Sequence, residues 1–511
     1  MGMTVLVLGD QLTATRGPLS RRPDDRVLMI EATEFARRHP YHPHKLTLVF
    51  SAMRHFRDDL RARGRSVDYR QVETFADGID AHLREHPGDE LVVMRPPSYR
   101  GGNRLRDLVD EHDGSLDVVQ NDLFLCSSES FDEWAGDRSS YRHEDFYRFV
   151  RRETGYLMEG GDPVGGQWNY DDQNRETPPD GYEPPEPPAF EPDETTREVV
   201  EWVTETFAGE YDEPPYGGDW ADPEPFRWPV TQEQARAVLD HFVTERLDDF
   251  GPYQDAMRTD SWAMHHSLLS AALNLGVIHP RRILDRVTNA AEERDVPLNS
   301  VEGFVRQVLG WREFMRHVYR REMPDLASAN QLDQTEPLPE LFWTGETDMA
   351  CLSDVVDGVR ERGYSHHIER LMILSNFATL LGVEPQALNR WFHAAYVDAY
   401  HWVTTPNVVG MGTFGSAVLS TKPYVSSANY VDTMSDYCND CHFYKTKATG
   451  ERACPFNSLY WDFLDRNADK LRNNHRMNLV YSHLDDKDEA EIETIRDRAA
   501  SLRERARRGD L

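Results

Sequence analysis

Long apolar segments and frequent cysteines are both missing from this sequence of 511 residues. No run of about eighteen apolar residues occurs, which argues against a transmembrane helix. The opening segment MGMTVLVLGDQL lacks a basic region ahead of its apolar residues, so a signal peptide is not predicted. Five cysteines are too few for a disulfide scaffold. These absences predict a cytoplasmic protein with no membrane association.

Basic residues are scarce relative to acidic ones. The chain has 57 Lys and Arg against 89 Asp and Glu, which gives a formal net charge of -32. Such an excess usually argues against nucleic-acid binding, because phosphates are repelled. It is also typical of proteins from a salt-loaded cytoplasm. We favour this halophilic interpretation, under which the local potential at a site decides what binds there.

The first 130 residues alternate short apolar runs with helical patterns, which predicts an α/β domain built on a parallel sheet. The predicted strands are Thr4–Leu8, Val27–Ile30, Leu46–Phe50, Val67–Val72, Leu91–Met94 and Leu116–Val119. The predicted helices between them are Ser51–Gly64 and Asn103–His112. The turn after the first strand lies where such sheets bind ligands, but it contains no G-x-G-x-x-G, so a nicotinamide dinucleotide is not predicted.

A long connector is predicted over residues 131–230, and an all-helical domain over 231–511. Between Gly160 and Pro229 proline and acidic residues are dense, which favours an extended chain. The predicted helices beyond it are Thr231–Asp249, Trp262–Leu275, Pro280–Glu293, Val301–Tyr319, Tyr364–Leu381, Pro385–Tyr400 and Ser458–Lys470. The last charged stretch, Asp485–Asp510, is expected to be a solvated helix or a frayed tail.

Four cysteines have a spacing that suits a metal site. Cys438 and Cys441 form a C-x2-C pair, Cys454 follows with a proline directly behind it, and Cys351 lies upstream. Thiolates are soft ligands that select zinc or an iron–sulphur cluster. Ordinary buried thiols are the third possibility. The spacing alone leaves all three open.

Several blocks of the chain resemble the photolyase/cryptochrome superfamily. The helical blocks are GPYQDAMRTDSWAMHHSLLSAALNLGVIHPRRIL, FVRQVLGWREFMRHVY, GYSHHIERLMILSNFATLLGVEP and LNRWFHAAYVDAYHWVTTPNVVGMGTFG. Together with the cysteines, LGDQL and FSAMRHF, they resemble the iron–sulphur bacterial cryptochromes and photolyases, the prokaryotic (6-4) photolyases. The resemblance implies a Rossmann-like antenna domain, a helical domain that binds FAD, and a 4Fe–4S cluster held by all four cysteines. Cys126 is then a buried thiol.

The resemblance also implies a set of flavin-binding residues. Helix starts and hydroxyls suit a diphosphate, and Asp398 falls where the family holds a carboxylate against the flavin ring. The second family aspartate has no clear equivalent, since Tyr400 and His401 occupy its neighbourhood. Asn407 is therefore a candidate to face the flavin. The implied set is Tyr253, His266, Ser267, Leu268, Leu269, Ser270, Arg306, Trp311, Arg312, Asp398 and Asn407.

Within this family the pair His366-His367 corresponds to the histidines that donate a proton to a (6-4) lesion. Histidine suits that role because it titrates near neutral pH. A later family histidine is Leu371 here, which leaves proton delivery to His367. Tyr424 and Met411 resemble residues that line the lesion pocket. The expected phosphate contacts are Lys422, His475 and Arg476, in a basic patch at the mouth of the cavity.

Electron transfer and light harvesting are implied as well. Trp391 and Trp343 resemble the chain of aromatic residues that reduces the flavin. A 6,7-dimethyl-8-ribityllumazine antenna is implied in the N-terminal domain, with Asp10, Gln11 and Glu34 as candidate contacts.

Three hypotheses of function follow. The leading one is a light-driven (6-4) DNA photolyase that acts on UV-damaged DNA as a monomer, with no obligate protein partner. The second is a blue-light receptor of the same fold that signals without repair. The third is a zinc-stabilised nucleic-acid-binding protein without flavin. His367 and Tyr424 favour repair, because a pure receptor needs no proton donor.

Overall fold

The computed structural model describes residues 2–179, 181–207 and 220–511. Its N-terminal part contains a parallel five-stranded sheet in the order β3-β2-β1-β4-β5. The strands are Met3–Val7 (β1), Arg26–Ala32 (β2), Val67–Val72 (β3), Glu90–Met94 (β4) and Ser115–Val119 (β5). In the register, Val5 lies beside Val27 on one side and Val92 on the other. The predicted α/β class is confirmed.

The strand predicted at Leu46–Phe50 is wrong, because this run belongs to the helix Pro43–Ala62. His42 caps that helix by accepting a hydrogen bond from the backbone N–H of His44, and Pro43 occupies the first helical position. The helix is buried along most of its first half. A short apolar run in a buried helix cannot be told from a buried strand by periodicity alone.

The helices of the N-terminal part and the connector alternate with these strands. They are Gly17–Arg21 (α1), Thr33–Ala36 (α2), Pro43–Ala62 (α3), Phe75–Glu85 (α4), Gly101–Glu111 (α5), Ser128–Ala135 (α6), His143–Thr154 (α7) and Glu194–Phe207 (α8). A two-stranded hairpin, Met158–Glu159 with Asp162–Pro163, and two short 3-10 turns, Val164–Gly166 and Asp171–Gln173, follow α7.

The connector is less extended than predicted. Helix α8 lies within it and packs against α3, burying Val199, Val200 and Val203. Its apolar residues recur at helical spacing, and this amphipathic pattern outweighed the general shortage of helix formers. Residues 182–193 have no regular secondary structure, and an extended connector there stays a prediction. The expectation for residues 180 and 208–219 lies outside the described residues.

The C-terminal part is helical, in agreement with the prediction. Its helices are Gln232–His241 (α9), Leu247–Tyr253 (α10), Ser270–Asn274 (α11), Pro280–Arg294 (α12), Leu298–Val305 (α13), Glu313–Glu322 (α14), Leu341–Thr344 (α15), Ala350–Arg362 (α16), Asn376–Leu381 (α17), Pro385–Ala395 (α18), His401–Thr405 (α19), Ala428–Met434 (α20), Pro455–Arg466 (α21), Ala468–Leu471 (α22), Asn478–Asp485 (α23) and Glu489–Arg508 (α24). Four π-helical segments extend these helices, at Phe242–Arg246, Arg306–Arg312, Glu369–Ser375 and Pro406–Gly412. Single 3-10 turns lie at Asp325–Ser328 and His475–Met477.

Two predicted helices are shorter in the structure. The segment Trp262–Leu275 is helical only from Ser270, because Met264 and Leu268 adopt positive φ angles of 42° and 59° that interrupt a right-handed helix. The helix predicted over Pro385–Tyr400 ends at Ala395. Both shortened ends leave irregular backbone, which becomes part of the candidate site described below.

The charged C-terminal stretch forms a packed helix. In α24 the residues Ile492, Ile495, Ala499 and Leu502 are buried, at intervals of three and four that place them on one face. This face packs against α21. The charged residues occupy the remaining faces, which explains why composition alone suggested a solvated element.

Two buried charges join the α/β part to the helical part. Lys45, on α3, donates hydrogen bonds to the carbonyl oxygens of His393 and Ala399 at 2.5 and 2.7 Å. Glu313, on α14, accepts the backbone N–H groups of Leu125 and Cys126, both at 3.0 Å. Both side chains are buried. In the described ranges, no helix is long and apolar enough to cross a membrane.

Candidate functional site

The loop before α11 offers unused backbone donors. Its residues Ser267 and Leu268 donate no backbone N–H hydrogen bond within the described part of the chain, and the Ser267 hydroxyl accepts the N–H of Leu269 at 3.4 Å. A row of free N–H groups beside hydroxyls fits an anionic group such as a diphosphate. This segment therefore has the donors that the implied flavin requires.

A buried ion pair stands directly beside this loop. Arg370 contacts both carboxylate oxygens of Asp398, at 3.0 and 3.1 Å, and Ser270 donates its hydroxyl to the same carboxylate at 2.6 Å. Burial alone would raise the pKa of Asp398, but the Arg370 charge and these hydrogen bonds outweigh it and lower the pKa. The Arg370 guanidinium lies over the Tyr396 ring, 4.2 Å from its centroid. Asp398 is therefore ionised and fixed in place.

The two histidines begin the helix that carries Arg370. The His366 ring is fully buried and stacks on His266, with the centroids 4.5 Å apart. Its Nε2 lies 3.3 Å from a carboxylate oxygen of Glu369, which also accepts a hydrogen bond from Tyr437 at 3.0 Å. Neither ring nitrogen of His366 has a hydrogen-bond partner among the described residues, so the stacking on His266 is what places the ring against the loop.

His367 has a different environment from its neighbour. Its side chain is exposed, yet the surrounding protein lowers its pKa to about 4, first through desolvation and then through the Arg370 and His366 charges. A side chain that is accessible and also closely surrounded lines a recess. The structure thus brings His366, His367, the Ser267–Ser270 loop and Asp398 together.

Asp255 is a further titratable residue near His366, and no sequence motif identified it. Burial raises the pKa of this carboxyl to about 6, and the charges of Arg175, Asp171, His366 and Arg306 also act on it. A carboxyl that titrates near neutral pH beside a histidine is typical of a catalytic site. Its place two residues after Tyr253 was the only signal in the sequence, and a lone aspartate in a loop carries little information.

Aromatic residues surround the same region. Burial raises the pKa of Tyr430, and the Asp255 carboxylate raises it further. Tyr424 is 37% exposed, and the charges of Arg476 and Asp171 act on it. Met411 is buried. Lys422, His475 and Arg476 are all exposed near the Tyr424 segment. The expected basic patch remains a prediction, although these residues are available to form it.

The other residues that were expected to contact the flavin already have partners within the protein. Arg306 pairs with Asp171 and Glu302. Trp311 stacks on His143 at 3.7 Å, and Arg312 lies over the Phe124 ring. The Asn407 side chain donates to the carbonyl of Val403, and the Tyr253 ring packs on Tyr182 and His265. Arg306 and Tyr253 nevertheless lie near the histidines, since Arg306 acts on Asp255 and Tyr253 contacts His265, whereas Trp311, Arg312 and Asn407 have partners away from the loop.

The two implied redox tryptophans are neighbours. Trp391 is buried, and its ring centroid lies 6.5 Å from that of Trp343. Trp343 in turn lies 5.0 Å from Trp220, and Trp391 lies 5.8 Å from Tyr396. Since Tyr396 contacts Arg370, an aromatic series runs from the ion pair to Trp220. Sequence spacing could not identify Trp220, because it lies at the end of the connector.

The four cysteines line one apolar cavity. Cys351 reaches it from α16, Cys438 and Cys441 from the loop after α20, and Cys454 from the start of α21. Burial and the neighbouring thiols raise the pKa of Cys351. Bringing four thiols together is unfavourable for their ionisation unless a cation is present. This donor set fits either zinc or an iron–sulphur cluster. Cys126 is buried elsewhere.

The three antenna candidates differ in how they are used. Gln11 donates to the carbonyl of Met94 at 2.7 Å, and Glu34 accepts the N–H of Phe75 at 2.9 Å. Both contacts serve the local fold. Burial raises the pKa of Asp10 to about 6, and its charge acts on Tyr400. Asp10 is thus the better candidate for a ligand contact at the end of β1.

The sequence of the chain is similar to those of known proteins. Residues 5–215 match the family model described as deoxyribodipyrimidine photo-lyase-related protein. The chain is 38% identical over 491 residues to the (6-4) photolyase of Agrobacterium fabrum, which covers 94% of this chain and 95% of the relative.

Comparison of structures gives the same fold. A bacterial class III photolyase from Agrobacterium tumefaciens has a TM-score of 0.58 at 16% identity, covering 82% of each chain. A cryptochrome from Synechocystis has a TM-score of 0.56 at 14% identity, covering 85% of this chain and 88% of the other. At these identities the likeness supports the fold alone.

The raised pKa of Asp255 generates a test of stability. Its carboxyl ionises near pH 3.8 in the unfolded chain and near pH 6 in the folded one. The ionisation of Asp255 therefore lowers the free energy of unfolding as the pH rises through this window. Above the window the whole of this reduction is present. We expect Asp255→Asn to raise the free energy of unfolding at pH 7 by about 1–3 kcal/mol, measured by urea denaturation. This gain should vanish below pH 4.

The control for this experiment is Asp260→Asn. Hydrogen bonds from Arg258 lower the pKa of that exposed carboxyl, so its removal should not stabilise the protein at any pH. Equal urea midpoints for Asp255→Asn and the parent at pH 7 would contradict the raised pKa of the Asp255 carboxyl.

Proposed function

This chain belongs to the photolyase/cryptochrome family, and from that premise we propose that it is a light-driven (6-4) DNA photolyase. The observation that carries the proposal is the joint position of His366, His367, the Ser267–Ser270 loop and the Asp398–Arg370 pair. A phosphate-binding loop and a proton donor in one recess are what repair by a flavin requires. The near full-length similarity to a (6-4) photolyase supports it.

FAD is the proposed cofactor, and when reduced and excited by blue light it supplies an electron to the lesion. Ser267 and Leu268 would hold its diphosphate through their backbone N–H groups. Asp398, kept ionised by Arg370 and Ser270, would present a fixed negative charge to the group bound beside this loop. Fixed charges of this kind orient a bound group without reorganising during the reaction.

His367 supplies the proton in this proposal. Its pKa of about 4 leaves it neutral in the free protein at neutral pH. Proton donation therefore requires that bound DNA raise this pKa, as the negative charge of phosphates near the rim would do. Asp255 is a second group that exchanges protons near neutral pH, and Tyr424 forms part of the lesion pocket.

UV-damaged DNA is the proposed partner. The damaged base must leave the helix to reach the recess, which is easier for a distorted site than for a normal pair. Lys422, His475 and Arg476 would contact phosphates at the rim. We retain the halophilic interpretation of the acidic surface, under which salt screens the long-range repulsion, and a cytoplasmic monomer remains the proposed state.

A 4Fe–4S cluster is proposed at Cys351, Cys438, Cys441 and Cys454. The four thiols and a proline directly after the last cysteine favour this assignment over zinc. A lumazine antenna is proposed at the carboxyl end of β1, where Asp10 is the group that titrates near neutral pH.

Photorepair of defined oligonucleotides tests the proposed function. Chemically reduced protein in high salt should remove a (6-4) photoproduct in blue light, leave it intact in darkness, and leave a cyclobutane dimer unchanged. His367→Ala should slow repair about 100-fold or more, since proton transfer contributes that much, and should retain its flavin. The exposed His483 gives the control His483→Ala, which should repair normally.

Two outcomes would contradict the proposal. Absence of light-dependent repair with flavin bound and photoreducible would favour the receptor hypothesis. Full repair activity in His367→Ala would show that His367 is not the proton donor, although the protein would still be a photolyase.

The aromatic series predicts a separation of photoreduction from repair. Trp391→Phe breaks the path from Trp343 towards Tyr396, because phenylalanine is much harder to oxidise than indole. Light-driven reduction of the oxidised flavin should be largely lost, whereas repair by chemically reduced protein should persist. The half-buried Trp461 lies outside the series, beside Tyr460, so Trp461→Phe should photoreduce at the parent rate. Equal photoreduction in both variants would rule out this path.

The cysteine site predicts a stoichiometry. Parent protein should contain four iron and four acid-labile sulphide atoms per chain, as measured by elemental and sulphide assays. Cys438→Ser should lose the cluster and unfold at a lower temperature, because a metal site contributes to folding. Cys126→Ser should keep both iron and sulphide. One zinc and no sulphide in the parent would contradict the cluster while leaving the flavin proposal standing.

A further inference from the structure

Three histidines from distant parts of the chain meet where the α/β and helical parts join. His39 follows α2, His393 lies near the end of α18, and His401 begins α19. One ring nitrogen from each can be chosen so that all three lie within 4.8 Å of one another. The His393 and His401 rings stack with centroids 4.0 Å apart, and the His39 ring meets His393 edge-on at 5.7 Å.

His393 has a nitrogen to spare in this cluster. The side chain is 93% buried, since its relative exposure is 7%. Its Nε2 lies 3.2 Å from the Tyr41 hydroxyl, whereas its Nδ1 has no hydrogen-bond partner among the described residues. A buried, unpaired ring nitrogen is costly. A metal ion bound at Nδ1 would satisfy it, with the Tyr41 contact orienting the ring from the other side, as outer ligands do at known metal sites.

The protonation state suits metal binding. Burial lowers the pKa of His401 to about 4, with the positive charges of Lys45, Arg104 and Arg38 adding to the effect. Burial likewise lowers the pKa of His393. Both imidazoles are therefore neutral at pH 7, which is the form that ligates metals.

The nearby cations limit the affinity without preventing binding. Lys45 directs its ammonium group at the carbonyl oxygens of His393 and Ala399, which offset part of its charge. Arg38 lies 3.9 Å from the carboxylate of Glu34, which offsets part of its charge.

We propose that His39, His393 and His401 bind a divalent transition-metal ion, with Zn²⁺ as the best match. Three neutral imidazoles are the ligand set that zinc, copper and nickel prefer over calcium or magnesium. A water molecule would complete four-fold ligation, and the exposed His401 gives the ion a path from solvent. This site is separate from the cysteine cavity and does not depend on the proposed repair activity.

The site has a structural consequence. His39 belongs to the α/β part and the other two ligands to the helical part, so the ion would fix one part against the other beside the Lys45 contact. Binding to the folded state alone raises stability by mass action. Saturating Zn²⁺ should therefore raise the unfolding temperature of the holo-protein by about 2–4 °C.

The test is a calorimetric titration of the flavin- and cluster-loaded protein with Zn²⁺ at slightly alkaline pH, with iron content measured before and after. One Zn²⁺ per chain should bind to the parent. His401→Gln should weaken that event about tenfold or more, because a lost ligand costs at least as much as a lost outer contact, and should abolish the thermal shift. His401→Glu, which restores a ligand atom, should recover much of the binding.

A second histidine cluster supplies the matched control. Asp68, His82 and His86 also lie within reach of one another, but Asp68 is already paired with Arg70. His86→Gln should therefore bind Zn²⁺ as the parent does. Unchanged binding in both His401→Gln and His39→Gln, or loss of binding only in His86→Gln, would overturn the proposal.

Discussion

The buried ion pair between Arg370 and Asp398 is the constraint on which the rest of the site depends. A charge removed from water is tolerated only when a partner and hydrogen bonds replace the lost solvation. Arg370 provides two contacts to the carboxylate, Ser270 a third, and Asn274 holds the backbone carbonyl of Asp398 at 2.8 Å. Because Ser270 and Asn274 lie on α11 and Arg370 on a second segment, satisfying Asp398 brings both segments to the loop after α18.

Regular helix is interrupted on both sides of this ion pair. The backbone before Ser270 leaves the helical region at Leu268, and the helix after Asp398 cannot begin until His401. The segment that carries Arg370 becomes a π-helix from Glu369, a geometry that often marks functional positions. Each irregularity exposes donors or turns a side chain towards the recess. The regular helices around them supply the rigid support.

The sequence predicted the layered organisation and most strands because their apolar patterns are local. It failed at Leu46–Phe50, where an apolar run sits in a buried helix, and over residues 262–269, where the positive φ angles of Met264 and Leu268 interrupt the predicted helix. The histidine pair could be identified from its motif. Asp255 could not, because its raised pKa comes from residues distant in sequence, such as Arg175 and His366. Trp220 could not be identified either, because its ring partner Trp343 is also distant in sequence.

The acidic surface and the chemistry of the recess are compatible for a physical reason. Screening reduces interactions between exposed charges over about 10 Å at moderate salt, and over less in a salt-loaded cytoplasm. Charges inside the recess are screened far less, so Arg370 still acts on His367 when the global charge of -32 does not. Local electrostatics therefore governs protonation, while the surface governs solubility. An acidic net charge therefore acts mainly on the approach of a charged ligand, while the local groups of the recess act on whatever is bound there.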